Sequence, residues 1–196
     1  LDAALVGQDT ETREGMQERK GGEDWKLTKD VAKQYSNDKF TVFPAFEMTS
    51  TTWGHPNVFG TENFIDRNLN GKQYQTLSQY YAWILTYDDI VAQFNHPDMS
   101  ANAFGNFTPY DQNVDKLFTM FELGNGSGHY SYANAEKKYF TALDLGWHIA
   151  PTYGEDNHDG TWGETMRRTV IVADKNSNDS LLYAMSKMRV YMTEDP

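Results

Sequence analysis

The sequence predicts an α/β domain in which a mainly parallel sheet is covered by helices and is either open or closed into a barrel. Helix-like and strand-like segments mostly alternate along the chain, and the stretches that join the strands are long enough for crossover connections. Side chains of the kinds that bind metals follow the ends of four predicted strands. Ligand side chains at the carboxyl ends of parallel strands are typical of an active site in a barrel.

The predicted elements begin after a polar amino-terminal stretch. Residues 1–23 contain Gly21-Gly22 and a charged run, so we expect a loop or flexible lead-in there and a domain over residues 24–196. Helices are predicted where apolar side chains recur at helical spacing, at residues 24–35, 74–86, 132–145 and 178–188. Strands are predicted where short apolar runs end in polar or turn residues, at residues 41–47, 90–94, 117–123, 149–152, 168–173 and 189–192.

Composition limits the functions that the chain can have. The absence of cysteine excludes disulfide frameworks and Cys-based zinc sites, so any metal must be held by His, Asp or Glu. No run approaches the roughly 20 apolar residues of a membrane span, and we expect a soluble chain whose compartment, cytoplasmic or secreted, stays open. The net charge of -11 disfavours nucleic acid as a partner, whereas a small anionic substrate can bind where cations supply the positive field.

The candidate ligands lie at or just beyond predicted strand ends. Glu47 ends a buried run and is best placed to bridge two cations, whereas His55 lies in a polar turn after it. His96 follows the strand at 90–94. Asp156 and His158 are two residues apart, and alternate residues of an extended segment point the same way. Each signal is weak alone, since turn histidines are common, but together they predict a metal cluster on these residues.

Two further histidines are less informative. His129 follows the Gly-rich segment 124–128 and is a sixth candidate ligand, although a loop histidine without a metal is an equally ordinary interpretation. His148 begins a predicted strand beside Trp147, and we interpret it as structural. The ligand set of nitrogen and oxygen donors suits zinc, manganese and iron alike, so the metal is not identified by it.

Several of these motifs resemble those of one known superfamily. The segments Phe46–Thr49 with Gly54-His55, then Asn95–Pro97, then Asp156–Gly160 resemble successive motifs of the PHP (polymerase and histidinol phosphatase) superfamily, with the best match in its carbaryl-hydrolase-like branch. The resemblance extends from about residue 25 to residue 195. It implies a distorted (β/α)7 barrel with two or three divalent ions, Mn, Zn or Fe, and an activity that in most members is phosphoester hydrolysis.

The resemblance also assigns roles to the candidate ligands. It implies that Glu47 is the bridging carboxylate, that the terminal ligands are His55, His96, Asp156 and His158, and that His129 is a further ligand. The superfamily opens with a His-x-His strand followed by an Asp-His, and neither precedes Glu47 in this chain. Either the chain begins after those strands or it is a degenerate member of the superfamily. Because it begins with Leu1 and not with Met, we expect the first, a barrel that is incomplete at its amino terminus and that requires an amino-terminal segment of the same protein.

Three functions remain open at this level. The first is a metal-dependent phosphoesterase that uses a metal-activated water and whose turnover depends on Glu47 and His158. The second keeps the metal but cleaves a carbamate, ester or amide bond. The third is a non-catalytic binding module on a PHP-derived scaffold, which the missing His-x-His and the loops rich in Asn, Gly and aromatic residues favour.

Overall fold

The computed structural model describes residues 23–62, 64–65 and 76–194. The predicted lead-in therefore lies outside the described residues, except for Glu23, which begins the first helix. No helix in these ranges is both long and apolar enough to cross a lipid bilayer.

Helices and strands form close to where the apolar patterns predict them, with one additional strand at residues 55–59 and one additional short helix at residues 112–115. The helices are α1 (Glu23–Tyr35), α2 (Leu77–Ile84), α3 (Gln112–Asp115), α4 (Tyr132–Asp144) and α5 (Asn178–Ser186). The strands are β1 (Ala45–Glu47), β2 (His55–Phe59), β3 (Val91–Asn95), β4 (Phe118–Asn125), β5 (Ala150–Gly154), β6 (Arg168–Ile171) and β7 (Val190–Thr193). The start of α2 is fixed by a capping box, in which Thr76 and Gln79 each accept the other's backbone N–H.

The strands form two sheets. The larger has five strands in the order β1-β2-β3-β4-β5, and β6 pairs with β7 in a separate two-stranded sheet. In the larger sheet β1 pairs antiparallel with β2, and β2 pairs antiparallel with β3. The strand β4 runs parallel to both β3 and β5. The small sheet is joined to β5 by Thr169, whose hydroxyl accepts the N–H of Tyr153 and donates to the carbonyl of the same residue.

The prediction of a barrel is wrong for the described part of the chain, whose strands form an open mixed sheet and a separate two-stranded one. The prediction took the sheet to be mainly parallel and placed His55 in a turn. The connection from β1 to β2, residues 48–54, is shorter than the roughly dozen residues that a parallel crossover needs. It instead makes a turn closed by a bridge between Ser50 and Gly54, so β2 returns antiparallel to β1.

An aromatic core fills the space between one face of the large sheet and the helices α2 and α4. Phe94 of β3 is fully buried at its centre and stacks on Phe118 of β4 with ring centroids 4.3 Å apart. Its ring also meets the edges or faces of Phe104 at 4.8 Å, and of Phe107 and Trp147 at 5.3 Å each. Aromatic pairs at these distances add to the large apolar area that each ring buries.

The opposite face of the sheet changes from apolar to polar along its parallel strands. Near their amino-terminal ends, Val91 and Met120 pack with Met185 of α5 and with β7. Two residues further along each strand the same face carries Gln93 and Glu122, both buried. Buried polar groups must find hydrogen-bond partners, and this row of side chains leads to the carboxyl ends of β3, β4 and β5.

Replacement of Phe94 by Ala should lower the free energy of unfolding by about 3–5 kcal/mol, because the cavity cannot be filled by the surrounding rigid rings. Urea denaturation followed by fluorescence measures this change. Phe140, which is 55% exposed on α4, provides the matched control, and Phe140→Ala should change stability far less. Equal losses for the two variants would contradict the central place of Phe94 in the core.

Candidate metal centre

Three predicted ligands meet at one end of the large sheet. Oε1 of Glu47 lies 3.1 Å from Nδ1 of His55 and 3.4 Å from Nε2 of His96. One ligand atom from each of the three residues lies within 4.8 Å of the other two, a grouping that can hold a metal ion. The two imidazole rings are nearly perpendicular, with centroids 4.8 Å apart.

The strand register explains why Glu47 and His55 meet. Glu47 is opposite Asn57 in the antiparallel pair of β1 and β2, and His55 is two residues from Asn57 along β2. Side chains two residues apart in a strand point to the same face, so Glu47 and His55 are diagonal neighbours on that face. The next pair brings His55 opposite Asn95, the last residue of β3.

His96 joins them through an unusual backbone conformation. An extended continuation of β3 would direct the side chain after Asn95 to the other face of the sheet. His96 instead has φ 24° and ψ 59°, and a 3-10 turn, Pro97–Met99, follows it. Positive φ is uncommon outside glycine and often accompanies a functional constraint. In this conformation the buried ring, only 3% exposed, reaches Glu47 and stacks on Tyr130 at 4.3 Å.

A buried polar chain connects the triad to β4 and to the loop after β5. Oε2 of Glu122 accepts the backbone N–H of His96 at 2.6 Å and the side-chain amide of Asn125 at 3.2 Å. The same amide nitrogen donates to Oδ2 of Asp156, also at 3.2 Å. Asp156 is therefore part of the same hydrogen-bonded cluster, although it is not one of the three residues that meet at the triad.

The surroundings of the triad carboxylate keep it ionised. Burial alone would raise the pKa of Glu47, but hydrogen bonds from His55 and His96 and the charges of those rings outweigh it, and the pKa falls to about 2. For His96 burial acts to lower the pKa, whereas the hydrogen bond to Glu47 and the nearby acids Glu122 and Asp156 raise it overall. A carboxylate that stays anionic is the form that binds a metal ion.

The buried carboxyl of Glu122 behaves in the opposite way. Its removal from water raises the pKa to about 7, because the hydrogen bond from Asn125 and the proximity of His96 offset only part of the cost of burial. The nearby charge of Asp156 acts in the same direction as burial. The site thus combines one carboxyl group held ionised with another that binds a proton near neutrality.

The remaining predicted ligands lie outside the triad. His158 has a side chain that is 83% exposed, and its Nδ1 lies 2.9 Å from the backbone carbonyl of Asp156 and 3.7 Å from Oδ1 of the same residue. His129 is exposed in the loop between β4 and α4. His148, which we interpreted as structural, is held by Asp115. The carboxylate of Asp115 accepts the backbone N–H of His148 with one oxygen and lies 2.8 Å from its Nδ1 with the other.

Two residues of the site, Glu122 and Asn125, were not predicted from the sequence. Glu122 interrupts the apolar run of β4, and Asn125 ends the same strand. An acidic residue within a buried strand is costly unless it is paired or hydrogen-bonded, so its position in the run 118–123 was a usable signal. The stacking of Tyr130 on His96 depends on the path of the loop after β4 and has no local signal in the sequence.

The chemistry of the donor set fits a divalent metal ion. Two imidazoles and one carboxylate are ligands that Zn, Mn and Fe accept, and catalytic sites commonly have three protein ligands and an open position. Nδ1 of His96 is buried and has no hydrogen-bond partner among the described residues, while Nε2 of the same ring faces Glu47. The acidic groups of Glu122 and Asp156 beside the triad would favour a cation there.

The pKa of Glu122 predicts how stability changes with pH in the chain kept free of metal by a chelator. A folded-state pKa of about 7, against 4.5 for an ordinary Glu, means that the unfolded chain binds fewer protons over this interval. The contribution of Glu122 to the free energy of unfolding therefore falls as pH rises from about 4.5 to about 7, by up to ~3 kcal/mol. Glu122→Gln should remove this part of the pH dependence.

Urea denaturation at both ends of that interval measures the effect, with Glu164→Gln, at an exposed carboxylate, as the control. Wild type and the control should lose stability relative to Glu122→Gln as pH rises. Parallel pH profiles for all three chains would contradict the assignment of a raised pKa to Glu122.

The chain shows no match to known families. No model of a protein family matches its sequence. A search of curated proteins finds no similar chain either. The resemblance to the PHP superfamily therefore remains a prediction.

Proposed function

We propose that the chain carries the metal centre of a hydrolase that cleaves a phosphate ester with a metal-activated water. The observation that carries the proposal is the meeting of Glu47, His55 and His96 at the end of the sheet, with ligand atoms within 4.8 Å of one another. All three residues also belong to the motifs that resemble those of the PHP superfamily. The proposal retains the metal chemistry implied by that resemblance and not its barrel.

The triad would hold the ion, which when bound lowers the pKa of a water molecule and offsets charge on the substrate. Glu47 contributes a carboxylate that stays ionised, because its pKa is lowered to about 2. His55 is only partly buried, and Glu47 is 35% exposed, so this side of the site is open to solvent. His96 closes the opposite side, where its ring is buried against Tyr130.

Asp156 and His158 remain the predicted ligands of an additional ion. Asp156 is tied to the triad through Asn125 and Glu122, and His158 lies beside Asp156 in the same loop. The exposed side chain of His158 is accessible from solvent. Its role as a residue on which turnover depends stays a prediction.

A phosphate ester suits the charges around the site. The net charge of -11 and the acids Glu47, Glu122 and Asp156 repel an anionic substrate in the absence of metal. Bound divalent cations reverse the local field, and phosphoryl oxygens are ligands that such cations accept. An anionic substrate would thus bind only together with the metal, so removal of the metal should abolish turnover.

The purified full-length protein with added Mn²⁺ should hydrolyse an aryl phosphate, and excess chelator should abolish this hydrolysis. Glu47→Ala and His96→Ala should each reduce turnover by about 100-fold or more, since even outer-shell substitutions weaken metal sites by 10–100-fold. Release of the aryl alcohol is followed by absorbance. His148→Ala is the matched control, because that histidine is 68% exposed and bound to Asp115 away from the triad.

The outcome separates the proposal from its alternatives. Turnover of an aryl carbamate in place of the phosphate, with the same dependence on metal and on Glu47, would replace the phosphoesterase by the carbamate hydrolase. Turnover that survives both chelation and the triad substitutions would overturn the metal centre itself. Stoichiometric metal without turnover of either substrate would favour the non-catalytic binding module.

A further inference from the structure

We propose that Glu122 is a positioning residue that holds His96 in the conformation the metal centre requires. The proposal rests on the proposed function, because it assigns to Glu122 the support of one ligand of that same centre. It begins from the backbone of His96, whose φ of 24° and ψ of 59° turn the side chain away from the direction that an extended β3 would give it. Such a conformation persists only where the surroundings enforce it.

Glu122 provides that enforcement through a short hydrogen bond. Its Oε2 accepts the N–H of His96 at 2.6 Å, a distance at the short end for N–H···O hydrogen bonds. Glu122 is itself only 4% exposed, so its carboxyl group has few alternative positions. The contact joins the end of β3 to the middle of β4, and β3 and β4 are neighbours in the parallel part of the sheet.

A glycine on the next strand makes room for this carboxyl group. A Cβ atom built at Gly154, the last residue of β5, would overlap Oε1 of Glu122. The φ of Gly154 is not in the left-handed region, so the backbone itself would accept another residue there. The need for glycine at position 154 is therefore steric: without a side chain there, the carboxyl group of Glu122 can pack directly against the backbone of β5.

The same carboxylate also extends its influence to the loop after β5. The side-chain amide of Asn125 bridges Oε2 of Glu122 and Oδ2 of Asp156. Asp156, like His96, has a positive φ, in this case 48°. Glu122 of β4 is thus hydrogen-bonded to both residues of the site with positive φ, directly to His96 and through Asn125 to Asp156.

Titration of the chain with Zn²⁺ alone, followed by calorimetry, tests the positioning role. Glu122→Ala should weaken Zn²⁺ binding by about 10–100-fold, the range seen for outer-shell partners of metal ligands. Glu122→Gln should bind within a few-fold of wild type, because its carbonyl oxygen can accept the N–H of His96. Gly154→Ala should resemble Glu122→Ala, and the two changes combined should weaken binding no further than either one alone.

Asp115→Ala is the matched control for a merely structural effect. Asp115 is likewise a buried carboxylate that accepts the backbone N–H of a histidine, His148, at 2.7 Å, but it lies outside the triad. This variant should lose stability and keep the Zn²⁺ affinity of the wild type. If Glu122→Ala does not fold, Gly154→Ala and Glu122→Gln still decide the question.

A second readout needs no metal. In the metal-free chain labelled with ¹⁵N-histidine, the ring signals of His96 should move in Glu122→Ala and Gly154→Ala towards those of the exposed His129, while those of His148 stay unchanged. Unchanged His96 signals in these variants, or equal loss of Zn²⁺ affinity in Asp115→Ala, would overturn the positioning role. A wild-type chain that binds no Zn²⁺ would instead remove the proposed metal centre, and the ring signals would still decide on Glu122.

Discussion

The antiparallel pairing of β2 with β3 is the constraint on which the arrangement of the site depends. It brings the first residue of β2, His55, opposite the last residue of β3, Asn95. The pairing of β1 with β2 then brings Glu47 within 3.1 Å of His55. If β2 ran parallel to β3, its amino-terminal histidine would lie at the far end of the sheet. The direction of one short strand thus decides whether the three side chains can share a cation.

The remaining features of the sheet serve to keep this end in place. One face is fixed by rigid aromatic packing around Phe94, which lies two residues before His96. The other face changes from apolar near Val91 to polar near Gln93 and Glu122, so the site end carries buried groups that must be hydrogen-bonded. Apolar packing at one end of these strands stabilises the fold, and hydrogen bonds at the other end fix the positions of the side chains of the site.

The local pattern of the sequence predicted most elements but not how they pair. The apolar runs of β3 and β4 and the helical spacing of α4 indicated those elements near their actual bounds. The strand β2 was not predicted, because its first three residues, His55-Pro56-Asn57, are typical of a turn and only Val58 and Phe59 are apolar. Strand direction depends on the length of the connection and on long-range pairing, neither of which periodicity reports. The alternation of elements allowed either an open sheet or a barrel, and the resemblance to the PHP superfamily implied the barrel.

For the candidate site, too, the sequence indicated the residue types but not their arrangement. Glu47, His55 and His96 were predicted as ligands and lie together in the structure, although His55 begins a strand and not, as predicted, a turn. The left-handed backbone of His96 and its support by Glu122 could not be read from spacing, because they arise from contacts between strands. His129 and His158 look similar to the triad histidines in the sequence, but in the structure both are exposed and lie outside the triad.

The central claim is that Glu47, His55 and His96 form one metal centre. A crystal of the chain soaked in Zn²⁺, with diffraction data collected on both sides of the zinc absorption edge, tests it most directly. The account predicts an anomalous peak bounded by the carboxylate of Glu47 and the two imidazoles. Zinc found only on exposed histidines such as His129, with no peak between the three residues, would contradict it.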